Sequence, residues 1–443
     1  MPLPSLIEIV PLTRLAQAQI TVPGSKSITN RVLILAALAE GETTLRGALW
    51  SEDTQVMVEC LQKLGFNVSV APEPNEFCNR TITVRGLGGK VPRGGTTAEP
   101  LSLFVGNAGT AARFLAAMVC LGEGVYRLHG VPRMHERPQA ALFKALRGLG
   151  YRVDSANDKL PALIYGTGPN AGRCVVSIEE SSQFASALIL SANAAGWQIT
   201  DLVGDGDASE LPYVEMTSRL VEVFPHRGGV FQIEADSSSG SYFQAANWLL
   251  QRNGPASASL ISVANWPESK LQIDSAFTRR LHYLDQANGD SGADLILSRR
   301  DDLGDSIMTA IVLAPFGRRT IKFVHLGRLR VQESDRVLAL HDELLKCGAK
   351  VAMVDYGETL TVTPGTKLHG AEIETYNDHR IAMCFAILGL HVPGIRIKNP
   401  ACVKKTFPNF FQKLAAPPPA GLGAVIRDAK TGRELPGEEL FAE

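Results

Sequence analysis

The stretch Pro23-Gly24-Ser25-Lys26-Ser27-Ile28-Thr29-Asn30-Arg31 decides how this chain is read. A short apolar run, Ala18-Gln19-Ile20-Thr21-Val22, precedes it, and a breaker-free run, Val32 to Ala39, follows. The order predicts strand, turn, helix. Such a turn leaves backbone N–H groups free at a helix N-terminus, where anions are favoured. Lys26 and Arg31 add two positive charges there, so a phosphate-bearing ligand fits. Ser, Thr and Asn are also ordinary helix caps, and the stretch lacks the P-loop spacing of Gly before Gly-Lys-Ser/Thr. Recurrence along the chain is what favours the ligand.

Five more heads of this kind open apolar runs. Asn107-Ala108-Gly109-Thr110 leads into Ala111–Val119, and Ser181-Ser182-Gln183 into Phe184–Ala192. Ser237-Ser238-Ser239-Gly240-Ser241 leads into Tyr242–Leu250, Asp305-Ser306 into Ile307–Leu313, and Asn377-Asp378-His379-Arg380 into Ile381–Leu388. The six runs are apolar on nearly every side, which predicts buried helices. Their N-terminal N–H groups need caps or a shared ligand. Between them lie amphipathic segments that end on Gly: 53–65, 139–150 and 336–348. Strand-like segments 66–70, 151–153 and 350–354 follow. The pattern is an α/β chain in which strand, buried helix, strand, amphipathic helix and further strands repeat.

Bulk properties restrict the function. With 443 residues, two to three domains are expected. Forty-four Lys and Arg against 45 Asp and Glu give a net charge of -1, without the basic excess of a nucleic-acid binder. Seven cysteines stand singly with no C-x-x-C pair, as reduced buried thiols do. No apolar run reaches membrane-span length and the start has no basic leader pattern, so a cytoplasmic protein is expected. The breaker-rich stretch after Leu414 reads as a linker and the remainder, to Glu443, as an appendage without a catalytic part.

The cations at the heads and in short polar turns are Lys26, Arg31, Arg113, Arg137, Arg336, Arg380 and Lys405. Arg forks match phosphate and carboxylate oxygens. Singly each suits a solvated surface; as a set they suit an anionic substrate. Asp305 is placed for acid–base work or as a plain cap, and Glu333 for acid–base work or for pairing with a nearby Arg. Ser334 could cap the helix that follows. No H-E-x-x-H or G-x-S-x-G occurs, and Gly204-Asp205-Gly206-Asp207 lacks the Glu of an EF-hand and reads as a turn. No metal is needed.

Seven motifs carry a resemblance: P-G-S-K-S-I-T-N-R, G-N-A-G-T-A-x-R (106–113), R-M-x-E-R-P (133–138), S-S-Q-F (181–184), E-S-D-R (333–336), Y-N-D-H-R-x-A-M (376–383) and K-T-F-P (405–408). In this order the chain resembles the 5-enolpyruvylshikimate-3-phosphate synthase family, a set of glyphosate-sensitive enolpyruvyl transferases. The resemblance implies an inside-out α/β barrel of six repeats in two globular halves, with the active site in the cleft between them. One half would be 24–236, the other 1–23 with 237–414, and 415–443 would be the linker and tail.

The resemblance also implies transfer of the enolpyruvyl group of phosphoenolpyruvate to the 5-hydroxyl of shikimate 3-phosphate, with no metal or organic cofactor, by a monomer. Lys26, Ser27, Arg31, Ser181, Ser182, Tyr213, Asp305, Arg328 and Gln332 would hold shikimate 3-phosphate. Lys26, Asn107, Gly109, Arg137, Gln183, Arg336, Arg380 and Lys405 would hold phosphoenolpyruvate. Lys26, Asp305 and Glu333 would be catalytic. The chain departs from the family pattern at Gln332 (Lys is common), Arg328 (Asn), Glu210 (Ser), Phe114 (Pro) and Ala112 (Met). Ser209 could substitute for the Ser lost at 210. Phe114 is expected to lower glyphosate sensitivity. The alternatives are a sugar-nucleotide enolpyruvyl transferase, against which the absence of Cys in 133–138 argues, and a paralogue that binds phosphorylated metabolites without turnover.

Overall fold

A computed structural model describes residues 3–12, 17–203, 211–252, 260–286 and 295–442. The turn at 204–207 and the departures at Ser209 and Glu210 lie outside the described residues. The chain divides into two compact units, Met1–Pro23 with Ala235–Glu443, and Gly24–Glu234.

All six polar heads open helices: Lys26–Leu38, Gly109–Met118, Ser182–Ala195, Ser237–Gln251, Ile307–Leu313 and His379–Gly389. Apolar residues on every face leave no stripe for water, and the Gly109, Ile307 and His379 helices are buried at every position. The amphipathic segments form Glu52–Lys63, Ala140–Gly148 and Arg336–Lys346. Just beyond each of their ends a glycine takes a left-handed φ: Gly65 at +94°, Gly150 at +90° and Gly348 at +83°. A side chain is strained there, so these glycines stop the helices.

The chain is mixed α/β. Among the described residues, four sheets have four strands each and share one pattern: an edge strand parallel to the second, then two antiparallel neighbours. Leu101–Phe104, Glu123–His129, Ala162–Thr167 and Arg152–Asp154 form one such sheet in spatial order. Leu295–Ser298, Ile321–Val324, Thr359–Thr363 and Lys350–Val354 form another.

Four of the buried helices connect two strands that pair parallel with each other. The other two follow the points where the chain passes from one unit to the other, and their strands are exchanged. Ala18–Ile20, before the Lys26 helix, pairs with Ile261–Val263, which follows the Ser237 helix. Gly229–Gln232, before the Ser237 helix, pairs with Glu40–Leu49, which follows the Lys26 helix. The opening strand–turn–helix is therefore also the first crossing.

The C-terminal segment differs from the expected appendage. Ile426–Asp428 pairs antiparallel with Leu6–Ile9 and completes the fourth four-stranded sheet. Leu422, Ala424, Ile426, Leu435, Leu440 and Ala442 are buried in the core of the first unit. The Pro-rich run 417–419 turns the chain back onto this core; it does not release it. No helix among the described residues is long and apolar enough to cross a membrane.

Candidate active site

In the Gly24–Glu234 unit, the Lys26, Gly109 and Ser182 helices pack on one another, and their first turns are tied together by arginines. Lys26 Nζ lies 3.3 Å from the buried Asp53 carboxylate. Arg31 is buried (1% exposed) and donates to Thr217 Oγ1 at 2.7 Å, Ser186 Oγ at 3.1 Å and the Ser27 carbonyl at 2.9 Å. Its guanidinium lies over the Phe114 ring, 5.3 Å from the centroid. Arg113 repeats the device one helix on: it lies over Phe184 and donates to Gln183 Oε1 at 3.0 Å. The departure at Phe114 thus supplies the ring under Arg31. As placed, Arg31 fastens its own helix to three others, whereas the resemblance gives it to the substrate.

Arg137 reaches the same place from the 133–138 motif and donates to the Asn107 carbonyl at 3.0 Å. Gly109 leaves room for it, since a Cβ there would sit 2.7 Å from Arg137 Nη2 and closer still to Arg113. Ser181 caps the Ser182 helix by accepting from the Gln183 N–H at 3.2 Å. Ser182 is buried, Ser27, Gln183 and Tyr213 are half-buried, and the Tyr213 carbonyl accepts from Arg31 at 3.5 Å. The structure therefore gathers Lys26, Ser27, Arg31, Asn107, Gly109, Arg137, Ser181, Ser182, Gln183 and Tyr213 at or beside the first turns of these helices.

The other unit builds a charged cluster of its own. Asp305 Oδ2 is 3.1 Å from Arg380 and 3.9 Å from Arg336, and Oδ1 is 3.4 Å from Arg299. Burial pushes the Asp305 carboxyl up, but Arg380, Arg299 and Arg336 together outweigh it and hold it well below the usual carboxylate range. Arg336, 1% exposed, donates its Nε–H to Asp378 at 2.7 Å, and its Nη2 forms an ion pair with Glu333 at 2.7 Å. Burial opposes its charge, and Asp378, Glu333 and Asp305 more than restore it. Glu333 also meets Lys405 Nζ at 3.1 Å. Arg328 lies in the 3-10 turn Gly327–Val331 and Gln332 just after it, both half-buried in the segment that delivers Glu333.

Two caps differ from the sequence reading. Asp305 caps nothing with its side chain; the Ser306 N–H goes instead to the buried Asp274 at 2.7 Å, which frees Asp305 for its guanidiniums. Ser334 donates to Asp378 at 3.0 Å, and Asp335 caps the Arg336–Lys346 helix by accepting from Leu338 N–H at 3.1 Å. Asp274, Asp53 and Arg299 escaped the sequence reading. Each sits outside a head motif and acquires its partner only by folding. The seven cysteines are all buried.

A family model described as EPSP synthase (3-phosphoshikimate 1-carboxyvinyltransferase) matches residues 12–226 and 222–414. The chain belongs to the EPSP synthase family. A 3-phosphoshikimate 1-carboxyvinyltransferase of Nostoc punctiforme is 35% identical over 441 residues, covering 92% of this chain and 98% of that one. One from Vibrio cholerae is 36% identical over 433 residues, covering 90% and 97%. Among solved structures, EPSP synthase from Acinetobacter baumannii superposes with a TM-score of 0.70 at 21% identity, covering 96% of this chain and all of that one. The enolpyruvyl transferase NikO from Streptomyces tendae gives 0.64 at 16% identity, covering 95% and 98%. These two likenesses concern the fold.

Proposed function

We propose that this member of the EPSP synthase family transfers the enolpyruvyl group of phosphoenolpyruvate to the 5-hydroxyl of shikimate 3-phosphate and releases inorganic phosphate. The observation that carries the reading is the Asp305–Arg336–Arg380–Glu333–Lys405 cluster, assembled from three of the seven family motifs and the Asp305 head. The fold we propose is the family's inside-out barrel, three repeats to a unit.

The chemistry is an addition followed by an elimination. The 5-hydroxyl oxygen attacks C2 of phosphoenolpyruvate while C3 gains a proton; C3 then loses a proton as the C2–O bond to phosphate breaks. Asp305 accepts the hydroxyl proton. Glu333 and Lys26 serve the methyl group and the departing phosphate. Unliganded, Asp305 is a poor base because its arginines hold its proton affinity down. A phosphate or carboxylate that draws Arg336 and Arg380 to itself lifts that restraint, so arrival of the anionic substrate activates the base. The guanidiniums then stabilise charge on the tetrahedral adduct.

The test is phosphate release with phosphoenolpyruvate plus shikimate 3-phosphate, and separately with a UDP-sugar acceptor. Release with the first pair alone is expected. Release only with the UDP-sugar, or binding without release, overturns the reading.

A further inference from the structure

The His379 helix is entered through Tyr376 and Asn377, both at φ +54°. Asn tolerates this left-handed region; Tyr gains nothing from it and must be held there. What holds it is Glu343, 0% exposed, near the far end of the helix that Arg336 begins. The Tyr376 hydroxyl donates to Glu343 Oε1 at 2.9 Å, and the Glu374 N–H donates to Oε2 at 3.2 Å. Lys346 Nζ, at 2.8 and 2.7 Å from the two oxygens, balances the charge. Burial and the Glu343 carboxylate push the Tyr376 hydroxyl's pKa up, so it remains a donor.

The residue after this turn is Asp378, fully buried, which takes Arg336 Nε and Nη2 at 2.7 and 3.3 Å and the Arg380 N–H at 2.9 Å. The Arg336–Lys346 helix is thus pinned to segment 374–380 at both ends, by Arg336–Asp378 and by Glu343–Tyr376. The geometry points to Glu343 and Tyr376 as a positioning clamp that fixes the left-handed turn and, through Asp378, sets the Arg336 and Arg380 guanidiniums. Neither clamp residue is among those assigned to substrate. The kinetic part of this inference rests on the reaction proposed above.

Tyr376→Phe removes one hydroxyl and keeps the ring. Two measurements are made on it: the ¹⁵N–¹H signal of the Arg336 Nε–H, which needs no turnover, and steady-state kinetics. The Nε–H signal is expected to broaden or vanish, and KM for phosphoenolpyruvate to rise about tenfold with KM for shikimate 3-phosphate unchanged. Glu343→Gln, whose amide oxygen still accepts from Tyr376, is expected to keep the wild-type KM that Glu343→Ala loses. If Glu343→Ala does not fold, Tyr376→Phe decides alone. A wild-type Nε–H signal overturns the clamp, as does an unchanged phosphoenolpyruvate KM in a turning-over Tyr376→Phe, even if its Tm falls. Absence of turnover by the wild type overturns the reaction and leaves the Nε–H signal to decide the clamp.

Discussion

Replacing Arg336 tests the charged cluster most directly. Its guanidinium is 1% exposed and engages three carboxylates: Asp378 through two nitrogens, Glu333 at 2.7 Å, and Asp305 at 3.9 Å. Arg336→Gln leaves Asp378, itself 0% exposed, without its ionic partner. Removing one member of a buried ion pair costs about 3–5 kcal/mol, a large part of a typical total stability of roughly 5–15 kcal/mol. With an m-value of about 3 kcal/mol/M, the urea midpoint of the unit that contains it falls by about 1–1.7 M. Arg336→Lys keeps the charge but loses the fork, and is expected to cost only about 1–2 kcal/mol. Urea unfolding followed by circular dichroism measures both. A midpoint for Arg336→Gln within 0.3 M or so of the wild type, roughly 1 kcal/mol at that m-value, refutes the argument. So does Arg336→Lys being the worse of the two. In turnover, Arg336→Gln is expected to lower kcat/KM by about 10²–10³, the usual effect of losing a preorganised charge.

Three further outcomes are expected. Gly109→Ala puts a methyl group 2.7 Å from Arg137 Nη2 and against Arg113, so the guanidinium shifts; KM for phosphoenolpyruvate rises about tenfold while Tm moves little, by steady-state kinetics and calorimetry. Asp305→Asn lowers kcat by about 10²–10⁴, and it flattens the acid side of the stability–pH curve. The sign follows from the depressed folded-state pKa: Asp305 stabilises the fold above the ordinary Asp value of about 3.9 and loses that contribution as pH falls toward its folded value. Ending the chain at Gly421 removes the Ile426–Asp428 strand and four large buried side chains, Leu422, Ile426, Leu435 and Leu440. At about 1.5–3 kcal/mol each, the loss of up to roughly 6–12 kcal/mol is expected to leave insoluble or protease-sensitive protein, read by limited proteolysis. A truncated chain with wild-type Tm would contradict that.

The six buried helices and the glycines that stop the amphipathic ones were legible because local chemistry writes them. An all-round apolar run has nowhere to go but inside, and a Gly beyond an amphipathic run marks where a left-handed residue ends it. The heads likewise named most of the charged residues, since motif and capping position coincide in sequence. Partnerships were not written there. That Asp274 and not Asp305 receives the Ser306 N–H, that Arg31 lies on Phe114, and that Glu343 holds Tyr376 depend on residues 32 to 83 positions apart meeting in space. The C-terminal segment misread as a tail makes the same point: a three-residue strand has no signal until Leu6–Ile9 offers it an edge. Sequence determined what each helix must bury and which charges stand at its start. Tertiary structure decided which charge faces which, because burial and proximity, set by packing, fix whether a carboxylate caps a helix or faces a set of guanidiniums.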